Sequence, residues 1–174
     1  MQRVFPEGGM PVGKGLRSAK ETEERILADW KEEYADLVKA AGKARKKAYA
    51  PYSGFKVGAA LLTEDGTVIK GCNVENASYP VGICAERNAF SHAIYKGYQK
   101  FSALAIAGAP AEKNGSDFCA PCGMCRQFIR EFCSPDFPVI LAKCDENGEI
   151  LEKRVLPLEE LLPESFGPEN LIKK

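Results

Sequence analysis

The sequence predicts an α/β fold in which helices are layered on one mixed sheet. Strand-like runs rich in Val, Ile, Leu and Ala are interspersed with helical runs along the chain, an order typical of layered α/β domains. Residues 104–109 are wholly apolar, as expected of a strand that is covered on both faces. The length of 174 residues fits one compact domain, and we find no internal repeat.

A long helix is the first element that the pattern predicts. Ser18 and Glu21 have the spacing of a capping box. Gly42 is expected to weaken or bend the helix, and Pro51 is expected to end it, because proline disfavours a helical conformation in the residue before it. The apolar residues that recur at helical spacing are Ile26, Leu27, Trp30, Tyr34, Leu37, Val38 and Ala41.

Strands and helices alternate through the rest of the chain. Two strand-like runs flank an Asp-Gly pair, which is a strong signal for a β-hairpin. A proline stands just before the second of the later helices, where proline is favoured. The predicted elements are strands over 55–62 and 67–74, a helix over 84–97, a strand over 104–109, a helix over 122–133, strands over 139–143 and 150–155, and a short helix over 157–162.

Composition favours chemistry on small molecules over binding to nucleic acid or membrane. The 24 basic and 24 acidic residues balance, whereas proteins that track a nucleic-acid backbone usually show a basic surplus. No apolar run approaches the ~18 residues of a membrane-spanning helix. Residues 1–20 are rich in Gly, Pro and basic side chains, so we expect a flexible extension there and the folded domain over 21–174.

The cysteine count indicates a reducing compartment, which we take to be the cytoplasm. Seven cysteines are an odd number, and the first residues lack the apolar run of a secretory signal. The single histidine, His92, excludes a metal site built mainly from imidazole groups. Metal binding or thiol chemistry is therefore expected in place of a disulfide framework.

Two short motifs can build a catalytic metal site. Cys122 and Cys125 form a C-x-x-C pair at a predicted helix start, where free N–H groups and the helix dipole stabilise thiolates. Cys84 stands at another predicted helix start, two residues before Glu86. Three thiolates supply three ligands to a zinc ion that keeps its fourth position for water. Glu86 is then placed to accept the proton of that water and pass it on.

The same cysteines also fit two other kinds of site. Cys122 and Cys125 could form a redox pair, or a structural zinc site with Cys119 as the nearby fourth ligand. His92 lies too far along its predicted helix to join the metal and is expected to pack or to face solvent. The remaining thiols are expected to be small buried hydrophobes: Cys72, Cys133 and Cys144.

Four motifs in order resemble the small homotetrameric, zinc-dependent cytidine deaminases. The resemblance runs from about Leu37 to Phe166 and so covers most of the chain. The motifs are residues 51–60 (PYSGFKVGAA), 71–79 (GCNVENASY), 84–87 (CAER) and 121–127 (PCGMCRQ). The resemblance implies a three-layer α/β/α sandwich with one mixed five-stranded sheet, one Zn²⁺ per subunit, and a homotetramer.

The resemblance also implies a role for each matching residue. Zinc would be held by Cys84, Cys122 and Cys125, and Glu86 would shuttle protons. The implied substrate contacts are Asn73 and Glu75 at the ribose hydroxyls, Phe55 at the nucleoside, the backbone around Ala85 at the polar edge of the pyrimidine, and Tyr79 and Phe166 reaching the site of a neighbouring subunit.

Arg87 adds an electrostatic requirement to this site. Three thiolates on Zn²⁺ leave a net charge of −1, which blunts the Lewis acidity of the metal. Two helix N-termini, together with Arg87 donating to a ligand sulfur, could restore it. We therefore expect Arg87 to support activity or metal retention.

The expected reaction is hydrolytic deamination of cytidine and 2′-deoxycytidine to uridine and 2′-deoxyuridine, a step of pyrimidine salvage. Asn73 and Glu75 favour a ribose-bearing substrate over a cytosine nucleoside antibiotic of the blasticidin S type, whose deaminases share the metal motifs. A zinc-stabilised binding module without catalysis would instead need four cysteine ligands. A polynucleotide deaminase is disfavoured by the balanced charge.

Overall fold

The computed structural model describes residues 34–111, 117–145 and 149–171. The predicted extension over 1–20, the domain boundary at residue 21 and the start of the first helix lie outside these ranges. Five helices, one 3₁₀ turn and five strands are found in the part described. They are α1 (Ala35–Arg45), β1 (Phe55–Thr63), β2 (Val68–Cys72), the 3₁₀ turn (Tyr79–Val81), α2 (Ala85–Tyr95), β3 (Phe101–Pro110), α3 (Gly123–Arg130), β4 (Pro138–Cys144), β5 (Ile150–Pro157), α4 (Leu158–Leu161) and α5 (Pro168–Leu171).

The strands form one mixed sheet of five in the order β2-β1-β3-β4-β5. β1 pairs antiparallel with β2 and β3, β3 pairs parallel with β4, and β4 pairs antiparallel with β5. Because β3 and β4 are parallel, the chain must cross over between them, and α3 lies on that crossover. The predicted α/β class with one mixed five-stranded sheet is confirmed.

Helices cover both faces of the sheet. Successive strand residues point to opposite faces, and β1 shows this at Ala59 and Ala60, which belong to different core clusters. One cluster joins the sheet to α2 and α3 through residues such as Phe90 and Ile129. The other joins it to α1 through residues such as Val38. These are the three layers of the expected sandwich.

Two glycines let the helices approach the sheet closely, one on each face. A Cβ at Gly58 would overlap the backbone of Arg45 in α1. A Cβ at Gly71 would overlap the backbone of Ala85 and Ala89 in α2. Gly71 therefore allows the first turn of α2 to rest directly on the edge strand β2.

The first helix ends earlier than predicted. α1 stops at Arg45, well before Pro51, so the proline does not terminate it. The segment around Tyr49, between α1 and β1, instead pairs with the segment after β2. Tyr49 N–H donates to the carbonyl of Asn73, and Glu75 N–H donates to the carbonyl of Tyr49. This pairing fixes the segment before β1 beside residues 73–75.

Smaller differences concern element ends. β2 ends at Cys72, two residues before its predicted end, and α3 ends at Arg130, three residues before its predicted end. The 3₁₀ turn at Tyr79–Val81 and the helix α5 were not expected from the sequence pattern. Short elements of this kind carry too few residues to show a periodicity.

A search of the described residues finds no helix that is both long enough and apolar enough to span a bilayer.

Candidate active site

Two helix N-termini meet at the thiol cluster. Cys84 is the N-cap residue of α2, and Cys122 is the N-cap residue of α3, both with extended backbone conformations. Cys125 lies in the first turn of α3 and is buried. The three Sγ atoms lie within 4.8 Å of one another, and those of Cys84 and Cys122 are 3.9 Å apart.

This donor set fits a zinc ion. Zn–S bonds of about 2.3 Å in a tetrahedral site place two sulfur atoms about 3.8 Å apart, close to the observed separation of Cys84 and Cys122. Among the described residues, the cluster contains three ligand atoms and Cys119 is not one of them. The Cys119 side chain lies instead against Gly108, where the ring of Phe55 also approaches. In the part of the chain that the structure describes, the fold therefore brings together three cysteine ligands, and not the four that a structural site would need.

Hydrogen bonding favours the thiolate at Cys84. Its pKa is lowered to about 5, first by a hydrogen bond with Cys125 and then by Arg87 and Cys122, against the opposing effect of burial. Arg87 Nη2 lies 3.8 Å from Cys84 Sγ and 3.4 Å from the carbonyl of Gly82. The pKa of Arg87 is correspondingly raised, first by its hydrogen bond to Cys84. Positive charge is thus held against a sulfur of the cluster.

Glu86 is the buried carboxyl group of this centre. It is the second residue of α2, and only 4% of it is exposed. Burial is the largest cause of its raised pKa, and the charge on Cys84 adds to it, while its own backbone N–H and Cys125 oppose the shift. A carboxyl group beside the thiols with a raised pKa is suited to taking up and releasing a proton.

An open cavity of about 400 Å³ lies beside the thiols. Its lining includes Cys84 and Arg87 together with three of the predicted substrate contacts, Asn73, Glu75 and Tyr79. The remaining lining residues are Tyr52, Ser53, Val74, Asn76, Pro80, Gly82, Ile83 and Met124. The walls are therefore largely apolar, with one carboxylate and one guanidinium.

Asn73 ties the end of β2 to the start of β1. Its Nδ2 donates to the carbonyl of Phe55 at 2.9 Å, and its Oδ1 accepts from the N–H of Val57 at 2.8 Å. The amide therefore fixes the backbone of Phe55 as well as facing the cavity.

Glu75 is held by the turn before β1. Its Oε2 accepts from the N–H groups of Tyr52 and Ser53 at 2.9 and 3.2 Å. The Ser53 hydroxyl donates to its Oε1 and accepts from the N–H of Phe55. The bond from Ser53 is the largest cause of the lowered pKa of Glu75, followed by that from Tyr52. The carboxylate is charged and oriented before any substrate arrives.

The other predicted contacts lie elsewhere in the single chain. Phe55 lines a separate cavity of about 70 Å³ together with Phe118 and Cys119. Ala85 is fully buried in the first turn of α2. Phe166 is 58% exposed, and its carbonyl accepts from Nε2 of Gln127.

Sequence reasoning missed three residues that line the cavity: Tyr52, Ser53 and Met124. Tyr52 and Tyr79 have ring centroids 5.9 Å apart, and Ser53 orients Glu75. Both Tyr52 and Ser53 lie within the first resembling motif, but neither carries chemistry that a spacing argument would single out. Met124 lines the cavity from between the two cysteines of α3.

Comparison with known proteins agrees with this geometry. Residues 31–141 match the family model described as the cytidine and deoxycytidylate deaminase zinc-binding region. A cytidine deaminase of Sporosarcina psychrophila is 47% identical over 135 residues, which are 78% of this chain and 92% of that protein. The chain belongs to the cytidine deaminase family.

Further relatives support the assignment. A probable cytidine deaminase of Dictyostelium discoideum is 40% identical over 82% of this chain and 90% of that protein. The crystal structure of cytidine deaminase from Burkholderia pseudomallei superposes with a TM-score of 0.63 at 47% identity, over 75% of this chain and 97% of that one. The predictions of a hydrolase of this family and of its fold are therefore confirmed.

Proposed function

We propose that the protein hydrolyses the exocyclic amine of cytidine and 2′-deoxycytidine, releasing ammonia and the uridine forms, as a step of pyrimidine salvage. The observation that carries this is the convergence of three thiols and a buried carboxyl group at two helix N-termini. Family membership and the cavity beside the thiols, with Asn73 and Glu75 in its lining, support a nucleoside as the substrate.

Cys84, Cys122 and Cys125 would hold one Zn²⁺ per subunit. When bound there, the ion supplies a Lewis acid that makes water nucleophilic near neutral pH. Arg87 and the two helix N-termini would offset the negative charge of three thiolates. The separation of the Cys84 and Cys122 sulfur atoms and the position of Arg87 support this role.

Glu86 would move the protons of the reaction. Its carboxylate accepts a proton from the attacking water and delivers it to N3 of the ring as the oxygen bonds to C4. The proton of the new C4 hydroxyl then passes through Glu86 to the amine, and ammonia leaves as the C4–N4 bond breaks and the C4=O bond forms. Burial and the raised pKa support both transfers, because the carboxyl group can both take up and give back a proton.

The remaining residues would orient the nucleoside. Asn73 and Glu75 would bind the ribose hydroxyls, the backbone around Ala85 would meet the polar edge of the pyrimidine, and Phe55 would face the ring. The oriented carboxylate of Glu75 supports the ribose assignment, since a charged acceptor binds a hydroxyl pair well.

Tyr79 and Phe166 would serve a neighbouring subunit's site in a cytoplasmic homotetramer. Their exposure in one chain, 75% and 58%, supports a surface that another subunit covers. Val81 and Met124 are also exposed, and Met124 lines the cavity mouth with Tyr79.

One assay tests the proposal. Purified protein with its metal content measured is incubated with cytidine, 2′-deoxycytidine and blasticidin S, and loss of near-ultraviolet absorbance is followed. Turnover of the two nucleosides with one zinc per chain is expected. Turnover of blasticidin S alone would move the assignment to a cytosine nucleoside antibiotic. Bound zinc without any turnover would indicate a binding module.

A further inference from the structure

The C-terminal arm, which we define as residues 162–171, lacks apolar anchors of its own. The core ends at α4, where Leu158 and Leu161 are buried. Within the arm only Gly167 is buried, and α5 is a single turn of four residues. So short a helix is unstable by itself. Within one chain, polar contacts therefore hold the arm in place.

Those contacts come from one face of α3. Arg126, Gln127 and Arg130 are spaced i, i+1 and i+4 and so project from one side of the helix. Arg126 Nη1 donates to the carbonyl of Leu161 at 2.5 Å, just before the arm, and its Nε donates to the carbonyl of Pro121 at 2.7 Å. Gln127 Nε2 donates to the carbonyl of Phe166 at 3.2 Å.

Arg130 makes the central contact. Its Nε donates to Ser165 Oγ at 3.2 Å, and its Nη2 forms an ion pair with Glu169. The residue is 6% exposed, and a Cβ at Gly167 would overlap its guanidinium. The arm therefore folds over this side chain, with Ser165, Gly167 and Glu169 all against it.

We propose that Arg130 is a positioning residue that fixes the C-terminal arm, and with it Phe166, on the helix that carries Cys125. Phe166 lies between the two residues that Arg130 bonds, and its own carbonyl is bonded from α3. These bonds fix the position of the Phe166 residue relative to α3, the helix that begins at two of the thiols. The last step, that Phe166 contacts substrate, rests on the proposed function.

Amide hydrogen exchange in the full chain tests the anchoring without reference to catalysis. Arg130→Met keeps the apolar stem but removes the guanidinium. Glu169→Gln changes only the exposed partner of the ion pair, so this variant should fold even if the loss of the buried Arg130 side chain prevents folding. Glu152→Gln is the matched control, since it removes the same carboxylate from an ion pair with Lys143 on β4 and β5. We expect the amides of residues 165–167, 169 and 170 to exchange about tenfold faster in the first two variants and at an unchanged rate in the control.

Kinetics test the consequence for the substrate. We expect Arg130→Met and Phe166→Ala each to raise the KM for cytidine about three- to tenfold, with kcat and zinc content retained. The double variant should show no more than the larger single effect, because both remove the same contact. Multiplied effects, or exchange unchanged in both arm variants, would overturn the proposal.

The two assays separate this inference from the proposed function. If the wild-type protein does not turn over cytidine, the proposed function fails, and exchange still decides whether Arg130 holds the arm. If exchange rises in the variants and KM stays constant, the arm is anchored by Arg130 but does not serve the substrate, and that part of the inference is wrong.

Discussion

The two sides of the cavity are built in different ways. The thiol side (Cys84, which lines the cavity, with Cys122 and Cys125 close to it) lies at the N-termini of two helices that pack in the core through residues such as Phe90 and Ile129. The rim side (residues 52–55 and 73–79) is loop and strand end, largely exposed, and held by bonds between side chains and backbone.

The thiol side and the rim side are therefore held in place by different interactions. Helices that pack one face in the core fix the positions of the thiols, as a metal centre requires. The rim is fixed by a few polar bonds, each worth about 0.5–1.5 kcal/mol. It can therefore adapt to a ligand or to another subunit, and changes there should alter substrate affinity more than the chemical step.

Removing the carboxylate of Glu86, beside the thiols, should have the largest effect on activity. Glu86→Gln keeps the shape of the side chain but cannot carry a proton. We expect kcat to fall by about 10² to 10⁴, with zinc content and thermal stability close to those of the wild type. Steady-state kinetics and metal analysis measure this. A variant that keeps its activity would show that Glu86 does not move the protons.

The sequence predicted the thiol side better than the rim. Cys84 and Cys122 could be placed at helix starts because proline, spacing and apolar periodicity mark those starts locally. The rim depends on Tyr49 pairing with residues 73–75, a contact between distant segments that no local pattern reveals. For the same reason Pro51 was given a helix-ending role that it does not have, and the role of Ser53 was missed.

The next largest effect is expected at Arg87. Arg87→Gln removes positive charge from beside Cys84. We expect a loss of about 10- to 100-fold in zinc affinity or turnover. Arg154→Gln is the matched control, because Arg154 contacts the Phe118 ring and does not line the cavity beside the thiols. Equal zinc affinity and turnover in the wild type and Arg87→Gln would refute the charge-offset role.

A pair of glycine variants tests whether core packing positions the thiols. Gly71→Ala pushes on the first turn of α2, which follows Cys84, whereas Gly58→Ala pushes on α1 across the sheet. Each should lower the free energy of unfolding by about 1–3 kcal/mol. Only Gly71→Ala should also weaken zinc binding, measured by competition with a chelator. Equal zinc affinities in the two variants would show that the cluster is independent of this packing.

The smallest effect is expected on the rim, at Ser53. Its hydroxyl makes the largest contribution to the lowered pKa of Glu75, so Ser53→Ala should raise that pKa toward the ordinary value. A carboxylate with a depressed pKa keeps its bonds at neutral pH and loses them as the pH falls through that pKa. The variant should therefore lose kcat/KM at a higher pH than the wild type on the acid side, with KM raised about threefold at neutral pH.

Ser134→Ala is the matched control for this change, since the Ser134 hydroxyl bonds the Asp136 carboxylate at an exposed site outside the cavity. Carboxyl titration by NMR reports Glu75 directly. An unchanged Glu75 titration in Ser53→Ala, or an equal KM rise in Ser134→Ala, would mean that Ser53 does not orient this carboxylate. The rim would then be held by the backbone pairing at Tyr49, by the Asn73 amide and by the backbone N–H groups that bond Glu75, without a contribution from the Ser53 hydroxyl.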